Sequence, residues 1–173
     1  GAQAAHNVVT TDGKHHTFSQ FGSGTFVNGV QTYLSQFMLV EPYAMFNEEE
    51  HLQSLGIRDA FSRTLLHRNA LIITPYQQVA NRLRELARGK NRHGSCGMGI
   101  GETMSDYLQH GENVLFAGDL SDSVKTRQKL QFIRDAKYSE IESLLPEVHQ
   151  LDNTQADPAI FGVNEIGRAT RLN

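Results

Sequence analysis

The chain has 173 residues, 20% of them charged and 39% hydrophobic, with a formal net charge of -3. That balance lacks the basic footprint of a nucleic-acid binder, and the single cysteine, Cys96, excludes an internal disulfide or a multi-cysteine zinc site. No apolar run nears the roughly 18 residues that span a bilayer and no leader-like segment opens the chain, so a soluble cytoplasmic protein is expected, one domain or part of one, with no nucleic-acid or membrane partner.

The first expected element is a hairpin. Val8–Thr11 reads as a strand, Asp12-Gly13 as its turn, and His15–Phe21 as the returning strand, ending at Gly22-Ser23-Gly24. His15 and His16 flank the turn and are expected at the surface, on opposite faces of the strand. The apolar run that ends at Val40 fits a helix or a buried strand and should stop at Pro42. Asn47, with Glu50 three residues on, has the pattern of an N-cap and its capping-box partner, and Gly56 supplies the stop. Glu48–Glu50 then reads as a solvated first turn that suits the helix dipole.

Ala70–Thr74 is a short continuous apolar and β-branched run, the pattern of a strand buried on both faces. Thr74 and Pro75 start a helix as N-cap and first residue; its stripe Val79, Leu83, Leu86 belongs in the core, and Gly89 ends it. A glycine loop, a helix near Glu102–His110 and a strand at Val114–Gly118 follow. From Ser121 to Leu145 the pattern is helical, with Leu130, Ile133, Ile141 and Leu144 apolar, until Pro146 breaks it. Strand, helix, loop, helix and strand in this order predict an α/β layout.

The loop, RHGSCGMGIGET at Arg92–Thr103, holds glycines at 94, 97, 99 and 101 and runs into a helix. It is not a P-loop, because no Gly-Lys-Ser/Thr follows. Nor is it a dinucleotide fingerprint, because the third glycine would fall at Glu102. What remains is either a structural turn or a set of backbone N–H groups at a helix N-terminus, an anion site by geometry and dipole. Glu102 would suit the dipole but repel a phosphate. Cys96, with His93 near it in sequence, leaves a cysteine nucleophile as a further reading.

The segments TPYQQVANRLRELARG, HGSCGMGIGETMSDYL and AGDL, between Thr74 and Leu120, resemble a stretch of the adenylosuccinate synthetases. That stretch runs through NRxRExARG, a Thr-Thr-Gly-Arg-Gly-Ile-Gly-Pro loop and VGDL. Upstream, GAQAAHNVVTTDGK is similar to the family's GGxNAGHTVVxDGK, and FGSGTF to its PSGIL, so order and spacing agree over roughly Gly1–Leu130.

The resemblance implies an α/β fold with a P-loop-NTPase-like mixed or parallel sheet and an inserted helical subdomain. The sheet edge and hairpin would span residues 1–45, the helical subdomain with its nucleotide loop 46–145, and an irregular tail 146–173. It implies a ligase that condenses IMP with L-aspartate using GTP and Mg2+, as a homodimer. Carried over by position, His6 is the acid at the departing β/γ bridge, a role that suits a group titrating near neutrality. Ala5 stands where a glycine carbonyl ligates Mg2+, and Gln3 where an asparagine contacts IMP. Ser95 and Cys96 replace the two threonines on the IMP phosphate beside Gly97, Met98 replaces the loop arginine, and His110 replaces an arginine that crosses the dimer interface to that phosphate. The family's phosphate loop with its aspartate base would precede Gly1, and its guanine-reading and aspartate-binding segments would follow Asn173. The departures leave open a close analogue of IMP as substrate, or a non-catalytic relative that binds a nucleotide.

Overall fold

A computed structural model describes residues 5–91, 93–144 and 146. The tail expected from position 146 onward falls outside these residues except for Pro146, as does Gln3.

The chain opens with the expected hairpin. Strands β1 (His6–Val9) and β2 (His15–Phe18) pair antiparallel, with Val9 opposite His15. The β2 pattern alternates, His15 and Thr17 out, His16 and Phe18 in, so one face is buried. This corrects the expectation for His16: it is 4% exposed, and its ring packs edge-on against Phe18 with centroids 4.5 Å apart. The run up to Val40 is neither one helix nor one strand. It breaks into β3 (Thr32–Leu34) and β4 (Leu39–Val40), which pair parallel with β5 (Thr64–Leu66) and β6 (Leu71–Ile72) respectively. Residues 70–74 are all buried, as their composition predicts.

Helix α1 spans Pro42–Ser54 and so starts five residues before the expected cap. Pro42 begins the helix instead of stopping a strand, because its fixed φ suits the first helical position and its missing N–H is not needed there. Glu41 is the N-cap, accepting from the N–H groups of Tyr43 and Ala44, which leaves Asn47 and Glu50 inside the helix. Helix α2 (Pro75–Ala87) does start where the sequence indicates, with Gln77 completing a capping box around Thr74. Helix α3 covers Ile100–His110 and α4 Ser123–Ile141, the latter capped by Asp122 and followed by a 3-10 turn at Glu142–Leu144.

The segment expected as a strand at Val114–Gly118 is not one. Phe116 makes a single antiparallel bridge to Leu71, and 3-10 turns at Gly111–Asn113 and Ala117–Ser121 flank it. Val114 and Leu115 are nevertheless fully buried, which explains their strand-like composition. The main core gathers Phe18, Phe21, Leu34, Val40, Leu52, Ile72 and Ile133 between the hairpin, the parallel pairs, α1 and α4. A smaller core of Ala80, Leu83, Leu86 and Ile141 joins α2 to α4. The architecture is mixed α/β with parallel strand pairs, and α2 and α3 hold the glycine loop between them.

Candidate functional site

The glycine loop folds back along the outer face of α2. Gly94 N–H and Ser95 N–H both donate to Glu85 Oε2, at 3.0 and 3.3 Å, while Arg88 pairs with Glu85 Oε1. Burial would raise the Glu85 carboxyl, but the Arg88 guanidinium and these two amides outweigh it and hold the group below its usual range. Asn81 ties down the rest: its Nδ2 donates to Ser95 Oγ at 3.1 Å, and Gly99 N–H donates to its Oδ1 at 3.4 Å.

Two of the glycines have a clear physical reason. Gly99, the N-cap of α3, sits at φ +79, and a Cβ there would lie 2.9 Å from the backbone nitrogen of Gln78. The loop therefore crosses α2 backbone against backbone, which only glycine allows. Gly97 has φ +70 and is buried, and its Cβ would lie 3.2 Å from both Cγ and Nε of Arg82. Ser95 and Cys96 are exposed beside it.

Glu102, at the start of α3, does not face the loop as a bare charge. Arg84 Nε reaches it at 2.9 Å and Lys137 Nζ at 3.0 Å, and Lys137 also pairs with Asp106 and with Glu140 at 2.9 Å. Burial alone would depress the Lys137 ammonium; the Asp106, Glu140 and Glu102 carboxylates raise it instead, so it stays charged. This network fastens α2, α3 and α4 together behind the loop. His110 ends α3, about 15 Å from the helix start at 1.5 Å per residue. Its ring stands edge-on to Phe132 with centroids 5.2 Å apart, and its Nε2 is buried with no hydrogen-bond partner among the described residues.

His110, Asp106 and Glu140 place one ligand-type atom each within 4.8 Å of one another. The Lys137 ammonium already serves both carboxylates there, so the cluster is an internal ion network and not a vacant cation cage. Ala5 and His6 are exposed at the start of β1. A lone exposed carbonyl at Ala5 is one hard oxygen, whereas Mg2+ wants several, usually including carboxylates and substrate phosphates. The described residues do not by themselves fit the ion. A cavity of about 500 Å3 opens at the N-terminal ends of β4 and β6, lined by Phe37, Arg68, Tyr107, Phe116 and Lys125 among others. None of the expected site residues among the described ones lines it.

Sequence reasoning missed the role of Glu48. Far from being solvated, its carboxylate is buried and accepts from the N–H groups of Ser19, Gln20 and Phe21 at 3.1, 2.6 and 3.3 Å and from Ser19 Oγ at 3.1 Å. His16 Nε2 lies 3.3 Å away on the same carboxylate. Glu48 thus sets the path of the chain into the 3-10 turn at Ser23–Phe26. The Glu-Glu-Glu run gave no sign of this, since the partners lie 27 to 32 residues away.

The adenylosuccinate synthetase family model matches residues 1–165. The chain belongs to that family. Among curated relatives, it is 33% identical over 109 residues to the adenylosuccinate synthetase of Clostridium beijerinckii, a match covering 63% of this chain and 25% of that one. With the enzyme of Neisseria meningitidis serogroup A it is 25% identical over 166 residues, 96% of this chain and 37% of the other. A solved structure of fully ligated adenylosuccinate synthetase from Plasmodium falciparum superposes with a TM-score of 0.69 at 17% identity, over 98% of this chain and 36% of that one, and shares the fold. The chain therefore spans about a quarter to two-fifths of the length of these relatives.

Proposed function

We propose that this chain carries the purine-monophosphate site of an adenylosuccinate synthetase-type ligase, which condenses IMP or a close analogue with L-aspartate at the expense of GTP. The observation that carries the reading is the amide pair of Gly94 and Ser95, which converges on one carboxylate oxygen. Two consecutive N–H groups aimed at an anionic oxygen, in a loop that leads into the N-terminus of α3, make an arrangement suited to a 5′-phosphate. Ser95 Oγ adds a hydroxyl beside them, and Cys96 a weaker S–H donor.

In the same reading His6 supplies the acid on the GTP side, and Gln3, Ala5, Gly97 and His110 keep the roles given by their positions. GTP and Mg2+ belong to the proposal as co-substrate and cofactor, and a homodimer as the assembly; no step is assigned to the ion. For His110 to reach a phosphate across a dimer, its ring would have to leave Phe132.

The second reading is a non-catalytic nucleotide-binding relative, and it rests on the sequence departures. Met98 and His110 stand where the family has arginines, so the phosphate loses charge-assisted bonds, which are about twice as strong as neutral ones. Turnover of IMP, aspartate and GTP by the full-length gene product separates the two. The ligase reading expects adenylosuccinate to form, and His6→Asn to cut kcat at least about a hundredfold with IMP affinity kept. IMP binding with no turnover leaves the binding relative, and full activity in His6→Asn removes His6 from the chemistry.

A further inference from the structure

We infer that Arg82, on α2, is the residue that meets the charge of the anion bound by the glycine loop. This deepens the reading above and rests on it. Helix α2 carries two arginines and ends on a third at its C-cap, and two of the three are committed: Arg84 to Glu102 and Glu140, Arg88 to Glu85. Among the described residues Arg82 makes neither an ion pair nor a hydrogen bond, although its side chain is half-buried. Half-burying a guanidinium without an anion costs free energy unless something on the other side of the equilibrium repays it.

Its position identifies the anion. The backbone of Gly97 rides directly on the Arg82 side chain, close enough that even a Cβ would crowd its Cγ and Nε at 3.2 Å. Arg82 therefore lies under the middle of the loop, a few residues from the two amides that converge on Glu85 Oε2. Those amides are already serving an anion, the chain's own Glu85 carboxylate. A nucleotide phosphate reaching them takes the place of Glu85, and Arg82 is the cation beside that place that has no other partner among the described residues. Asn81, next to Arg82, holds Ser95 and Gly99, so the loop is pinned to the same turn of α2 that presents the guanidinium.

The test is an IMP titration of the full-length gene product at low salt, following the backbone amide signals of Gly94, Ser95 and Gly97 by NMR, with inosine as the ligand that lacks phosphate. Arg82→Gln is expected to weaken IMP by about tenfold or more, the scale of one charge-assisted bond, and to flatten the dependence of affinity on salt. Inosine binding should not change, and Arg82→Lys should keep part of the affinity. Unchanged IMP affinity in Arg82→Gln, while Gly94 and Ser95 still respond, overturns the role of Arg82 and leaves the phosphate loop standing. An equal loss for inosine makes Arg82 a structural support and overturns it too. If IMP moves none of these amides in the unaltered chain, the loop is a turn, and both the inference and the reading beneath it fail.

Discussion

The Nδ1 atoms of His16 on β2 and His51 on α1 lie 2.7 Å apart, so one ring must carry its proton there and the other must not. If His16 Nε2–H donates to Glu48, then His16 Nδ1 is the acceptor and His51 the donor. The result is a chain from the exposed His51 through a buried imidazole to a buried carboxylate, which in turn holds the backbone of residues 19–21.

Burial depresses the His16 imidazole below its ordinary value of 6.5, and the opposing pull of Glu48 does not fully offset it; His51 and His15 push the same way as burial. Between that depressed value and 6.5 the unfolded chain binds the extra proton. Stability therefore rises with pH there and is lost as pH falls below about 6.5, by at most about 1.4 kcal/mol per unit for one proton. Urea midpoints measured from pH 7.5 to 5 should show this slope, and His16→Gln should flatten it. A slope identical in the variant assigns the effect to other groups.

Glu48→Ala removes the acceptor shared by three backbone amides and one hydroxyl. Each donor left unpaired in a buried place costs about 1–3 kcal/mol, less where water reaches it. The neighbouring Glu50 is exposed, and Glu50→Ala should stay within about 0.5 kcal/mol of the parent. Denaturant unfolding of the two variants checks the contrast. Equal effects would return Glu48 to the solvated face that its sequence suggests.

That pair of residues also marks how far the sequence was readable. Helix α2 was legible because its signals are local: Thr74 caps, Pro75 starts, and Gln77 Oε1 accepts the Thr74 N–H at 2.8 Å within one turn. The start of α1 was not. Asn47 and Glu50 have a capping-box spacing, but Pro42 and the Glu41 carboxylate fix the first turn earlier, and Gln20 Oε1 accepts the Glu41 N–H from a distant loop. The glycine loop was legible as a stretch of bare backbone leading into the N-terminus of α3. That its amides face Glu85, and that Gly97 lies on Arg82, depends on the loop doubling back over α2, which no local pattern encodes.

Asp119 should dominate the acid limb of stability. Burial alone would raise its carboxyl, but hydrogen bonds from Lys125 and Lys129, with the Phe116 N–H, bring it down to about 2. Because the folded value lies below the ordinary 3.8, the stabilisation is complete above about pH 4 and is lost as pH falls through 2. The shift corresponds to about 2 kcal/mol at neutral pH. Asp119→Asn should lose that much at pH 7 and nearly nothing near pH 2. Parallel stability curves for the parent and the variant down to pH 2 would remove Asp119 from the acid limb.

The glycines of the loop offer the sharpest contrast, because two that look alike in sequence are physically different. Gly99 stands at φ +79 with the Gln78 nitrogen and the Gln77 carbonyl carbon 2.9 and 3.0 Å from where a Cβ would sit. These are backbone atoms in the first turn of α2, whose capping box holds them in place, so they cannot yield as a flexible side chain would. Alanine there must both adopt a left-handed conformation, at about 1–2 kcal/mol, and push α3 away from α2. Gly101, two residues on, lies inside α3 with ordinary helical φ, and no atom of the described residues outside its own stretch of helix lies within 4 Å of where its Cβ would sit. Replacing glycine by alanine at such a place stabilises a helix by up to about 1 kcal/mol, through propensity alone. Thermal unfolding should therefore move in opposite directions, down by several degrees for Gly99→Ala and level or up for Gly101→Ala. A Gly99→Ala variant as stable as the parent would mean that the loop does not cross α2 backbone to backbone, and the geometry on which the phosphate reading depends would go with it.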